Sequence, residues 1–154
     1  MSFAKYYKSV HHGNTEKVAK SIAEVLEADL CEPEEFEVKE LRGKDLVGFG
    51  SGIYNISFHE SILELLEELP EMESKKAFIF STSGLPRIPI VHDYESEVKE
   101  KLTEKGFEVV DSFSCRGHDT YFPVFRLFGG IHKDRPNEED IDKAKKFAKQ
   151  LIED

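Results

Sequence analysis

A chain of 154 residues is long enough for one domain with a substantial hydrophobic core, and no composition shift, repeat or Pro/Gly/Ser linker divides residues 1–154 into more than one. Its 39% hydrophobic and 34% charged residues are typical of a soluble globular protein, and the formal charge of -10 disfavours nucleic acid and anionic membranes while favouring partners with basic surfaces. Two cysteines, Cys31 and Cys115, stand in neither a zinc-like nor a Cys-x-x-Cys spacing, so a disulfide framework is not expected. The opening MSFAKYYKSV lacks the apolar core of a signal peptide, and no apolar run approaches the roughly 20 residues of a membrane span. A cytoplasmic protein is the expectation.

The first strand is predicted in FAKYYKS, although Lys5 and Lys8 sit awkwardly in a strand covered on both faces. A tight HGNT turn then runs straight into a helix starting near Asn14 or Thr15, with Val18, Ile22, Val25 and Leu26 on one apolar stripe. ADLCE is a short strand candidate closed by Pro33, and EEFEVKELRGK is an acidic connection. DLVGFGSG, from Asp45 to Gly52, reads as a buried strand whose glycines permit close backbone approach at its end. Ser57 and Glu60 form the S-x-x-E pattern of a capping box, opening a helix with Phe58, Ile62, Leu65, Leu66 and Leu69 that Pro70 stops.

KAFIFSTSG is the next strand, and a helix from about Asp93 carries Val98 and Leu102 to a left-handed cap at Gly106. FEVVDSFSCRG follows as a strand, then a long irregular stretch from His118 to Pro136. The last helix is predicted to be capped by Asn137, with Glu138, Glu139 and Asp140 in its positive first turn and Ile141, Ala144, Phe147, Ala148 and Leu151 buried. Five strands alternating with helices predict a parallel sheet with helices on both faces.

Ligands of such sheets bind beyond the carboxyl ends of the strands, which here read SVHHGNT, GSGIYNISF, STSGLP and SCRGHDT. Gly13, Asn14 and Thr15 lie where helix N–H groups are unpaired and the helix dipole is positive, a place suited to a phosphate. Simple capping by Asn14 or Thr15 explains the same residues. Other nucleotide and hydrolase motifs fail on their residues. Gly43-Lys44 is followed by Asp45 rather than Ser or Thr, GFGSGI does not complete G-x-G-x-x-G, and neither G-x-S-x-G nor H-E-x-x-H occurs.

With its SVHHGNT, GSGIYN and STSG turns in this order, the chain resembles flavodoxins and flavodoxin-like FMN proteins over nearly its whole length. The resemblance implies a three-layer sandwich with a five-stranded parallel sheet in the order 2-1-3-4-5. It also implies FMN as cofactor, its phosphate wrapped by the first turn (Ser9, His11, His12, Gly13, Asn14, Thr15). The ring would be bordered by Ser51, Gly52, Ile53, Tyr54 and Asn55 and by Thr82, Ser83 and Gly84, with the backbone of Cys115 and Gly117 beside it.

Val10 and His12 stand where flavodoxins usually have Ser or Thr, which leaves the hydroxyl contacts to Ser9 and Thr15. With no tryptophan in the chain, Tyr54 is the expected aromatic partner of the ring, with Tyr121 or Phe122 as outsiders. The adjacent His11 and His12 are a poor metal pair. Cys115 with Arg116 and His118 reads more readily as a buried structural cysteine than as a reactive thiol.

The function that follows from the resemblance is electron transfer by bound FMN between redox partner proteins with basic docking surfaces. The alternative is an FMN-dependent NAD(P)H:quinone-type oxidoreductase, toward which the late GGIHKDRPNEED segment with Lys133 and Arg135 points. Neither reading assigns a catalytic residue, and neither sets the oligomeric state.

Overall fold

The computed structural model describes residues 3–8, 14–54, 57–83, 94–116 and 136–153. In chain order these form β1 (Phe3–Lys8), α1 (Asn14–Leu26), β2 (Asp29–Cys31), two 3-10 turns (Pro33–Glu35 and Val38–Leu41), β3 (Leu46–Tyr54), β4 (Ser57–Phe58) and α2 (Glu60–Glu68). They continue with β5 (Lys75–Ser83), α3 (Tyr94–Glu104), β6 (Phe107–Arg116) and α4 (Glu138–Glu153). The sheet runs β2-β1-β3-β5-β6 with every one of these pairings parallel, and β4 folds back antiparallel on the end of β3. This is the expected flavodoxin-like parallel α/β fold, with the short β4 added.

Alternation along the strands divides the core into two. Val47 and Phe49 of β3 and Ala77 and Ile79 of β5 face one side, where they pack with Ile62, Leu65 and Leu66 of α2 and Val98 and Leu102 of α3. Leu46, Phe78 and Phe80 face the other side, against Val18, Ala19, Ile22 and Leu26 of α1 and Ala144, Phe147 and Ala148 of α4. The predicted stripes are therefore the buried faces of their helices, except that Val25, Ile141 and Leu151 are only partly buried.

Gly48 and Gly50 have a specific reason to be glycine. A Cβ on Gly48 would lie 2.2 Å from the ring of Phe78, and one on Gly50 would lie 2.1 Å from the ring of Phe80. The glycines are sockets for two phenylalanine rings of the neighbouring strand.

Four further local features follow from the residues. β1 is an interior strand of the sheet despite Lys5 and Lys8, pairing in parallel with β2 through Ala4–Tyr6 and with β3 through Phe3–Lys8. The Ser57–Glu60 capping box does not form. Ser57 pairs with Tyr54 in the β3–β4 ladder, α2 starts at Glu60, and the cap is His59, whose Nδ1 accepts from the Ser61 N–H at 3.1 Å. At α4 the expected cap is present and reciprocal: Asn137 Oδ1 accepts from the Asp140 N–H at 3.0 Å, and Asp140 Oδ2 accepts from the Asn137 N–H at 2.9 Å. Gly106 takes φ +87° after α3, as its place at the helix end predicts.

Candidate functional site

The carboxyl ends of β3, β5 and β6 lie side by side at one edge of the domain. Their register sets two rows across the strands: Lys8–Ser51–Ser81–Ser114, then Gly52–Thr82–Cys115, with Ser83 opposite Arg116 just beyond. Successive residues of a strand point to opposite faces, so the two rows belong to opposite sides of the sheet. Ser51, Ser81 and Ser114 face α2 and α3, and Thr82 and Cys115 face α1 and α4.

On the α1 side, the first turn of α1 is joined directly to the end of β5. Thr15, the second residue of the helix, is 1% exposed and Thr82 is 4% exposed, and their hydroxyl oxygens lie 2.9 Å apart. Cys115, one strand over, is partly buried against the same cluster. The one acidic residue of that turn, Glu16, is exposed enough to pair with Lys20 at 2.8 Å across the helix surface. No Asp or Glu occurs in the strand ends Ser51–Tyr54, Ser81–Ser83 and Ser114–Arg116.

On the α2/α3 side, the Ser51 hydroxyl donates to the Gly52 carbonyl and accepts from the His59 N–H at 2.8 Å. It holds the β3–α2 connection in place, a role that sequence spacing did not suggest. Ser112 Oγ donates to Glu95 Oε2 at 3.2 Å, which ties β6 to the buried carboxylate in the first turn of α3. That turn is the positive end of the helix, where a carboxylate is favoured. Ser81, fully buried between Ser51 and Ser114, has the only buried side-chain polar atom without a hydrogen-bond partner among the described residues. The sequence offered no signal for Glu95 or Ser81, since each depends on a neighbour from another strand or helix.

Of the predicted site residues, Thr15, Ser51, Gly52, Thr82 and Cys115 are brought together at this edge, with the backbone of Asn14, Ile53, Tyr54 and Ser83 beside them. Ser9, His11, His12, Gly13, Asn55, Gly84 and Gly117 lie outside the described residues, as does the 118–135 stretch. The donor set suits a phosphate ester. It combines the N–H groups of a helix start, which have no partner within the helix, a buried pair of hydroxyls and no carboxylate at the strand ends. Among the described residues no group of three or more His, Cys, Asp or Glu could hold a metal ion, and no helix is long and apolar enough to cross a membrane.

A parallel sheet of this order, with a helix start and hydroxyl-rich strand ends meeting at its carboxyl edge, defines a flavodoxin-like domain. Residues 6–130 match the family model of the flavodoxin domain, and the chain belongs to that family. It is 47% identical over 146 residues to an uncharacterized protein of Methanocaldococcus jannaschii, with 95% of each chain covered. Among solved structures it superposes on flavodoxin 2 from Bacillus cereus with a TM-score of 0.75 at 21% identity, over 99% of both chains. A flavodoxin from the domain Archaea gives a TM-score of 0.74 at 17% identity, over 99% of this chain and 97% of that one. At such identities these two likenesses establish the fold.

Proposed function

We propose that this protein is an FMN-binding electron carrier that docks on redox partners with basic surfaces. The observation that carries the reading is the buried Thr15–Thr82 contact, which joins the helix start suited to a phosphate to the strand end suited to border a ring. Membership of the flavodoxin-domain family supports it. In this reading Thr15 and the N–H groups of the first turn of α1 hold the phosphate, assisted by the Ser9–Gly13 turn. The backbone of Gly52, Ser83 and Cys115 borders the flavin ring, and Tyr54, in the last position of β3, covers it.

Bound FMN supplies one- and two-electron transfer, and the protein supplies binding, orientation and electrostatics. The formal charge of -10 favours encounter with a cationic partner surface and disfavours the anionic reduced flavin. The NAD(P)H:quinone-type reading rests on Lys133 and Arg135, which lie outside the described residues.

Titration of the flavin-free chain decides the cofactor. FMN should bind and riboflavin should bind more weakly, and Thr15→Ala should cost about 1 to 3 kcal/mol of FMN affinity, the range for a lost hydrogen bond to a charged group. Equal affinity for the two flavins would refute the phosphate site. Stopped-flow mixing of the FMN-loaded chain with NADPH separates carrier from enzyme: slow reduction is expected, and reduction at tens per second or faster, in the usual turnover range, would overturn the carrier reading.

A further inference from the structure

The resemblance to flavodoxins places Thr82 in a turn beside the flavin ring, but its hydroxyl points the other way, into the start of α1. Thr15 Oγ1 and Thr82 Oγ1 are 2.9 Å apart, both residues are almost wholly buried, and neither hydroxyl has another hydrogen-bond partner among the described residues. Two hydroxyls carry two protons, and a bond between them uses only one. The oxygen that accepts keeps a spare proton, and the direction of the bond decides which oxygen that is.

If Thr15 donated to Thr82, the spare proton would sit on Thr82, at the end of β5. If Thr82 donates to Thr15, the spare proton sits on Thr15, in the first turn of α1, where the helix dipole and unpaired N–H groups attract an anion. A phosphate at the helix start selects the second direction, because a hydrogen bond to a charged acceptor is the stronger one and polarises the bond behind it.

We propose that Thr82 is a positioning residue for the phosphate end of the site: it donates to Thr15 Oγ1 and so turns the Thr15 hydroxyl toward a phosphomonoester. The inference rests on the FMN reading above, and it moves Thr82 from the ring to the phosphate. Since Thr82 also lies in register with Gly52 and Cys115, one residue then links the phosphate turn to the strand ends that border the ring.

The test is a fluorescence titration of the flavin-free full chain with FMN and, separately, riboflavin. It covers the wild type, Thr82→Val, Thr82→Ser, Thr15→Val and the Thr15→Val/Thr82→Val double variant, with thermal melting of each to verify folding. Thr82→Val should lower FMN affinity about tenfold, equivalent to about 1.4 kcal/mol, and leave riboflavin affinity within about twofold. Thr82→Ser keeps the hydroxyl and should keep the preference for FMN, and Thr82→Val should cost nothing further once Thr15 is Val.

An equal loss for both flavins, an unchanged FMN affinity or additive losses in the double variant would each overturn the role of Thr82 while leaving the FMN reading intact. A wild type that does not distinguish FMN from riboflavin overturns both. If Thr82→Val does not fold, Thr82→Ser still decides, because loss of its FMN preference contradicts a role that resides in the hydroxyl.

Discussion

Gly50→Ala should be far more damaging than an ordinary glycine substitution in a strand. The added methyl would lie 2.1 Å from two atoms of the Phe80 ring, well inside van der Waals contact, so the ring must move by more than an ångström. Phe80 is fully buried and stacked on Phe78 with centroids 6.0 Å apart, and Phe78 meets Phe147 edge-on at 5.9 Å. The displacement therefore spreads through a row of three rings and into α4.

Overpacking of a filled core costs about 1 to 3 kcal/mol, and with Phe80 fully buried between its neighbours we expect about 3 kcal/mol here. With a urea m-value of about 2 kcal/mol per molar, the unfolding midpoint should fall by about 1.5 M. Phe80→Leu removes the obstructing ring. In that background Gly50→Ala should cost less than about 1 kcal/mol, a coupling of about 2 kcal/mol in a double-mutant cycle. A Gly50→Ala midpoint within about 0.3 M of wild type, or a cycle additive to within about 0.5 kcal/mol, would show that the glycine is not a socket.

Two further outcomes can be checked on the flavin-free chain. Ser81→Ala removes a buried hydroxyl that has no partner, so it should raise stability by about 1 kcal/mol in urea unfolding; a loss of that size would mean the hydroxyl is satisfied by a group not seen among the described residues. Burial, and after it Glu40, Glu35, Glu32 and Glu34, push the Cys31 thiol from 9.0 up to about 11. A pKa raised in the folded state means that the native chain holds this proton more tightly than the unfolded chain does. The associated stability is present below about pH 9 and is lost as pH rises through about 11. In a Cys115→Ser background, alkylation of Cys31 by iodoacetamide at pH 8 should be roughly 100-fold slower than for a free thiol, and a rate within threefold of one would contradict the shift.

Helices and strands were legible in the sequence wherever one local period set the buried face. Val18, Ile22 and Leu26 face the sheet because a helix repeats every 3.6 residues, and Leu46 and Val47 go to opposite cores because a strand repeats every two. Asn137 and Gly106 were equally legible, since a cap is satisfied within its own turn. So was the edge at which the site forms, because parallel crossovers leave every βα turn at the carboxyl end of the sheet.

What the residues around a position could not reveal was decided by contacts distant in sequence. Ser57 lost its capping role because its backbone could pair with Tyr54, and His59 took over with its N–H held by Ser51. Gly48 and Gly50 read only as places where backbone can approach closely, and it is β5 that brings Phe78 and Phe80 against them. Thr82 reached Thr15 across 67 positions only because β5 lies beneath the first turn of α1. A hydroxyl's partner, like a glycine's neighbour, is set by which strands the sheet places side by side, and local propensity carries no record of that choice.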